Sequence, residues 1–355
     1  MRSALSRSDR AIGQAPRPRV PDARDSSFRA LPWQPPGRLC QGNDRCLSPM
    51  SAVEPPQLYS DLLAVWRARA RYGDAPCWSE RQQALYWVDT PAQRLYRYTP
   101  DNGHRERWYF QAPVYALAER QDADSLLVAL PHGLACFDPQ AADGYGRLEP
   151  LAGTPSVLQD GQRWVQGGCD SHGRFWVGLA QAGRPARGLA LWQMPAHRDG
   201  SPALQGEDTP VHGLAWSPDG ATVYLNDGDS RVWAFDFDAG SAQLSARREC
   251  LRCDPAEGRP RGMAVDTAGR LWIARWGGGC VSCHDPADGR ELMRLELPAR
   301  QVTHLAFGGP HRRTLFVCSA REGMDPLQLR AEPLAGALFS VQTDATGLPA
   351  GRYAG

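Results

Sequence analysis

Residues 261–276, RGMAVDTAGRLWIARW, set one polar residue before a small one (Gly262), then an apolar run ending at Val265, a tight turn over 266–269 and a second apolar run. Short apolar runs on either side of a Gly-containing turn read as strand, turn, strand. Five other stretches follow the same plan. Aligning their second runs puts Tyr86, Leu127, Trp176, Tyr224, Trp272 and Phe316 in register, with gaps of 41, 49, 48, 48 and 44 residues. A third run follows each: RLYRY at Arg94, GLACF at Gly133, GLALW at Gly188, RVWAF at Arg231, CVSCH at Cys280 and GALFS at Gly336. Repeats of this length with several strands per unit predict an all-β, six-bladed β-propeller, because one blade cannot bury both of its faces alone. The competing β-sandwich would need six ordered copies to fall at this spacing by chance. Residues 57–72, QLYSDLLAVWRARARY, fit a short amphipathic helix or an outer strand. The strand is the expected role, since it would cover the edge of the C-terminal GALFSVQ run.

The 355 residues carry 22% charged side chains and a net charge of +1, a globular composition. No stretch approaches the roughly 18 consecutive apolar residues of a membrane span, so no membrane partner is expected. Residues 1–49 depart from the rest, with nine Arg, four Asp and no Glu or apolar periodicity. They are expected to be a disordered extension. Their Arg- and Ser-rich character is open to a targeting reading, but they lack a secretory apolar core. Met50 is an alternative start, which leaves residues 50–355 as one propeller domain. Removing the extension's +5 from +1 gives a body of −4, which argues against a nucleic-acid partner. All 40 basic residues are Arg and none is Lys, which excludes Schiff-base and P-loop lysine chemistry.

Ten cysteines include Cys250-x-x-Cys253 and Cys280-x-x-Cys283, half-sites of a zinc ribbon by spacing. The second pair falls in an expected strand, where side chains three apart point to opposite faces. Structural cysteines and a cytoplasmic location are the expectation.

In a propeller the innermost strands line a central channel. The residues that enter those strands are Asp74, Tyr115, Gln166, His212, Arg261 and Thr303, five of them followed by Ala or Gly. This makes a polar ring of mixed charge at a concave site, where a small-molecule ligand is expected. Solvated loop residues are the bland alternative.

YGDAPCWSERQQALYWVDTPAQRLYRY resembles the opening blade of the SMP-30/gluconolactonase/regucalcin-like family, and QRWVQGGCDSHGRFWVG, VHGLAWSPDGATVYLND, RPRGMAVDTAGRLWIARW, VTHLAFGGPHRRTLFV and PLAGALFSV extend the likeness over about 58–345. The resemblance implies a six-bladed propeller, hydrolysis of a sugar lactone, and one divalent metal, calcium or zinc, at the channel mouth. The implied metal positions are Asp74, His212 and Arg261, and none keeps the family's residue type. The family's substrate run falls on residues 163–168, where Arg163 matches and the Asn and Asp have become Val165 and Gln166; Arg163, Gln166 and the ring residue Tyr115 are the expected substrate contacts. Calcium takes six to eight oxygen ligands, whereas Arg261 adds a positive charge, so a degenerate metal site is expected. Arg261 would replace the ion by pairing with Asp74, and His212 would act as general base. The alternatives are a non-catalytic propeller that binds a sugar acid or lactone, and a scaffold for protein partners. Calcium buffering is disfavoured by the missing carboxylates.

Overall fold

Each repeat folds as an antiparallel meander because its turns are local and its apolar runs are short. The computed structural model describes residues 53–141, 144–151, 162–181, 190–194, 203–205 and 211–355. The first strand, Leu63–Trp66 (β1), belongs to the last sheet. Gly73–Ser79 (β2), Ala84–Asp89 (β3), Arg94–Thr99 (β4) and His104–Tyr109 (β5) pair in that order. Ala116–Glu119 (β6), Leu126–Leu130 (β7), Gly133–Asp138 (β8) and Arg147–Pro150 (β9) form the next sheet, and Gln162–Cys169 (β10), Phe175–Gln181 (β11), Ala190–Met194 (β12) and Ala203–Gln205 (β13) another. Gly213–Trp216 (β14), Thr222–Asn226 (β15), Arg231–Asp238 (β16) and Gln243–Arg252 (β17) follow, then Arg259–Val265 (β18), Leu271–Trp276 (β19), Cys280–His284 (β20) and Glu291–Glu296 (β21). The last sheet runs Val302–Gly308 (β22), Thr314–Ser319 (β23), Leu338–Gln342 (β24) and β1. Antiparallel pairing of β1 with β24 meets the expected closing role of the 57–72 segment.

The first strands neighbour one another in the cyclic order β2, β6, β10, β14, β18, β22 and back to β2, which is the all-β propeller plan. The expected count of six like blades is corrected. Five four-stranded blades are described through every strand and side chain, whereas in β10–β13 the outer two strands are described by backbone alone, between undescribed stretches at 182–189 and 195–202. The expectations for residues 1–49 and for Met50 also lie outside the described residues.

The core lies between sheets rather than inside one. One cluster joins Trp272, Val281 and Leu295 to Leu305, Leu315 and Phe339 of the following sheet, and another joins Tyr224 and Val232 to Val265, Leu271 and Ile273. Second strands are therefore buried on both faces, as in β3 and β23, while the fourth strand β5 is mostly solvent-facing. The six residues aligned in the sequence all sit on second strands and are buried.

The turn DTAGRLW contains a buried polar unit. Asp266 accepts the Ala268 and Arg270 amides at 3.0 Å each, Arg270 Nε at 2.6 Å and Trp272 Nε1 at 2.9 Å. DSHGRFW repeats it at Asp170, with Arg174 Nε at 2.6 Å and Trp176 Nε1 at 2.8 Å. The cysteine pairs are not ribbon half-sites. Cys283 packs in one core cluster, Cys250 and Cys253 in another, and the described cysteines are free. Burial raises the Cys250 and Cys253 thiols to about 11. No described helix is long and apolar enough to cross a membrane.

Candidate active site

A cavity of about 80 Å³ opens where the first strands begin, and all six ring residues line it: Asp74, Tyr115, Gln166, His212, Arg261 and Thr303. Arg163 lines it too, so every residue singled out for metal, substrate or catalysis faces one space. Tyr72, Thr90, Pro91 and Glu322 complete much of the wall and are absent from the sequence-based set. A larger cavity of about 650 Å³ occupies the other end of the channel, lined by residues such as Trp78, Trp216 and Met263. Gln166 borders both cavities and its side chain meets His304 Nε2.

Irregular backbone at the strand entrances positions the ring. The pairing register shifts between Asp74 and Cys77, Val165 and Gly167, Pro260 and Met263, and Val302 and His304. A bulge re-aims the side chains beside it. Ala75 and Gln166 adopt φ of 47° and 37°, which non-glycine residues rarely do. The small residues of the sequence pattern are needed for close approach. A methyl on Gly262 would overlap the His304 ring, and one on Gly213 would overlap the Asn226 amide and the Arg261 carbonyl oxygen. Gly213→Ala is therefore expected to destabilise the protein by about 1–3 kcal/mol and to shift Arg261, read as a lower melting temperature with weakened ligand binding.

Arg261 is fixed by several partners. Its Nη1 donates to the carbonyl oxygens of Gly228 and Pro260. Its guanidinium lies 5.8 Å from the centre of the Trp276 ring, which itself stacks on Tyr72 at 5.5 Å. Tyr72 is held in turn by buried Asp89, whose carboxylate accepts the Arg71 and Tyr72 amides at 2.9 and 3.1 Å. Gly228, with φ 70°, leaves room for the His212 ring against its Cα, and its amide donates to Asn226 Oδ1 at 3.0 Å. One loop thus positions both His212 and Arg261. Contrary to the sequence-based expectation, Arg261 makes no direct ion pair with Asp74: its Nη1 reaches two carbonyl oxygens instead.

Asp74 is part-buried, and its Oδ1 accepts the Ala75 amide at 2.8 Å. Burial pushes its carboxyl up from 3.8 to about 7, against the lowering pull of that hydrogen bond, Arg163 and Arg261. Burial first, then Arg261 and Arg163, push the His212 imidazole down to about 4. Burial, with Asp74 next, raises the Tyr72 phenol, which stays a neutral donor. Arg163 is exposed at the rim, and among the described residues no carboxylate lies within the 4.0 Å ion-pair limit of it. Near neutral pH the cavity therefore holds two cations, a carboxyl poised between its forms, a neutral imidazole and hydroxyl donors. Such a set can orient a polyhydroxylated ligand, stabilise negative charge on oxygen and exchange one proton.

Residues 72–321 match the model of the SMP-30/Gluconolactonase/LRE-like region. A 6-deoxy-6-sulfogluconolactonase of Pseudomonas putida is 33% identical over 299 residues, covering 83% of this chain and 99% of the relative. An L-arabinolactonase of Azospirillum brasilense is 31% identical, covering 81% and 93%. Among solved structures, a calcium-binding regucalcin of Agrobacterium tumefaciens superposes with a TM-score of 0.74 at 24% identity, covering 81% of this chain and 96% of the other.

Proposed function

Because the chain belongs to the SMP-30/gluconolactonase/LRE-like family, we propose that it hydrolyses a sugar lactone at the channel mouth. The observation that carries this reading is the convergence of Asp74, Arg163, His212 and Arg261 on one cavity, with the Asp74 carboxyl at about 7. The substrate is a small molecule, as the relatives named for lactone hydrolysis imply.

Asp74, as carboxylate, takes a proton from water, and the oxygen of that water attacks the lactone carbonyl carbon. Negative charge develops on the carbonyl oxygen, where the Arg261 guanidinium and the neutral His212 ring supply fixed donors. The intermediate collapses by breaking the bond to the ring oxygen, which takes the proton back from Asp74. The product is the open-chain sugar acid. Arg163, Tyr115 and Gln166 orient the hydroxyls. His212 is assigned as donor rather than base because an imidazole held near 4 accepts protons weakly at neutral pH.

No step is routed through a divalent ion. Asp74 and His212 are the residues that would hold one, but Arg261 fills the third position with a fixed positive charge and Arg163 adds a second. Calcium wants several anionic oxygens, and zinc would lack a third ligand. The donor set does not fit either ion.

The test is a panel of aldonolactones assayed with purified protein, with and without a chelator. Turnover that persists in chelator and falls by about tenfold or more in Arg163→Gln is expected. No turnover of any lactone would overturn the reading and leave a ligand-binding propeller. Turnover abolished by chelator would overturn the ion-free chemistry.

A further inference from the structure

Among the described residues, the three buried arginines have partners that account for them. Arg174 and Arg270 each meet a buried aspartate at 2.6 Å. Arg275, 2% exposed, donates to the carbonyl oxygens of Gly258 and Asp254 and does not line the mouth. Arg261 differs from all three, since it faces a cavity, has no carboxylate partner within 4.0 Å among the described residues, and is held in place from behind. A guanidinium has five donors, and the contacts with Gly228 and Pro260 leave others for the cavity. Among the described residues no carboxylate pairs with it: Tyr72 and His212 are neutral, Asp74, poised between its forms, lies beyond the 4.0 Å ion-pair limit, and Glu322 is exposed. The second guanidinium, Arg163, faces the same space and has no carboxylate within 4.0 Å among the described residues.

We infer that the mouth is a carboxylate-binding site in which Arg261 is the fixed cation and Arg163 the exposed one, so that a sugar acid is held by the protein directly, without a bridging metal ion. This inference rests on the reading of the mouth as a site for sugar-derived ligands and goes beyond it in naming the charged group recognised. A guanidinium fork matches the two oxygens of a carboxylate, and a desolvated cation without a counter-ion gains most from an anion that supplies one. Arg261 is oriented before the ligand arrives, because the Tyr72–Trp276 stack and the Gly228 carbonyl set the plane of its guanidinium. The product acid of lactone opening carries such a group and the lactone does not. The site therefore retains product, and sugar acids inhibit.

The experiment compares D-gluconate with the alditol of the same carbon chain, by calorimetry and thermal melting of the whole protein in the presence of chelator. Gluconate is expected to bind about tenfold or more tightly than the alditol, and Arg261→Gln to remove that preference while Arg163→Gln reduces it. Equal binding of the two compounds, or gluconate binding that appears only after calcium or zinc is added, would overturn the proposal. Should Arg261→Gln fail to fold, the comparison of the two ligands on the unaltered protein and on Arg163→Gln still decides it. Binding is read without turnover, so gluconate selectivity in a protein that opens no lactone supports this inference while the hydrolase reading falls.

Discussion

Replacing Asp266 with alanine is expected to lower the unfolding free energy by about 3–5 kcal/mol, the usual cost of removing one partner of a buried ion pair. Four donors converge on this fully buried carboxylate: the Ala268 and Arg270 amides, Arg270 Nε and Trp272 Nε1. The substitution leaves Arg270, 8% exposed, with a charge that has lost its counter-ion, and leaves the indole of Trp272 with no acceptor in the centre of a core cluster. Arg270 also donates to the Glu54 carbonyl oxygen at 3.0 Å, so the N-terminal approach to the propeller loosens with it. For a domain of this size the melting temperature should drop by roughly 5–8 °C. Asp170→Ala should behave similarly, because the Asp170, Arg174 and Trp176 unit has the same geometry. A melting temperature within about 2 °C of the unaltered protein would mean that the turn's polar unit is not what holds the blade.

Asp74→Asn is expected to cut kcat on a sugar lactone by about 10²- to 10⁴-fold, the range for loss of a general base, with gluconate binding retained. The active form is the carboxylate and burial has raised the carboxyl to about 7, so kcat should rise with pH through about 7 and level off above it. If His212 were the base, the inflection would fall near 4, where its imidazole titrates, and kcat would be flat from about pH 5 to 8. A flat profile together with an active Asp74→Asn protein would therefore reverse the assignment. The same shift has a stability consequence of opposite sense to that of a salt-bridged aspartate. The folded value lies above the ordinary 3.8, so the native state binds the proton more strongly, and the Asp74 contribution to stability increases as pH falls from about 7 towards 3.8.

The features legible in the sequence are those that depend on near neighbours. Alternation and Gly-containing turns located the first three strands of each repeat, and the entry positions Asp74, Tyr115, Gln166, His212, Arg261 and Thr303 do share one cavity. Their convergence follows from repetition, since equivalent positions in equivalent units must meet around one axis. What holds Arg261 was not legible, because Gly228 and Asn226 come from the neighbouring sheet and Tyr72 from another. The sequence pairs Arg261 with Asp74 by charge alone, whereas the fold offers it two carbonyls and an indole face. One signal was present: the YWVD strand ends in Asp89, whose role is to fix Tyr72.

Residues 346–354 run across the base of the wheel. Thr346 O receives the Thr267 amide at 2.8 Å, Gly347 pairs with Asp266, and Tyr353 bonds with Glu119 and Gln121 before the Ala354 amide reaches Gly173 O at 3.0 Å. Together with β1 on β24, this makes both fastenings of the ring depend on residues beyond 337. During synthesis from the N-terminus, a nascent chain on the ribosome would have finished five sheets before either fastening emerged, leaving open strand edges in the interval. Chaperone dependence should therefore fall abruptly, not gradually, as the nascent chain is extended through this stretch, since non-local closure comes last.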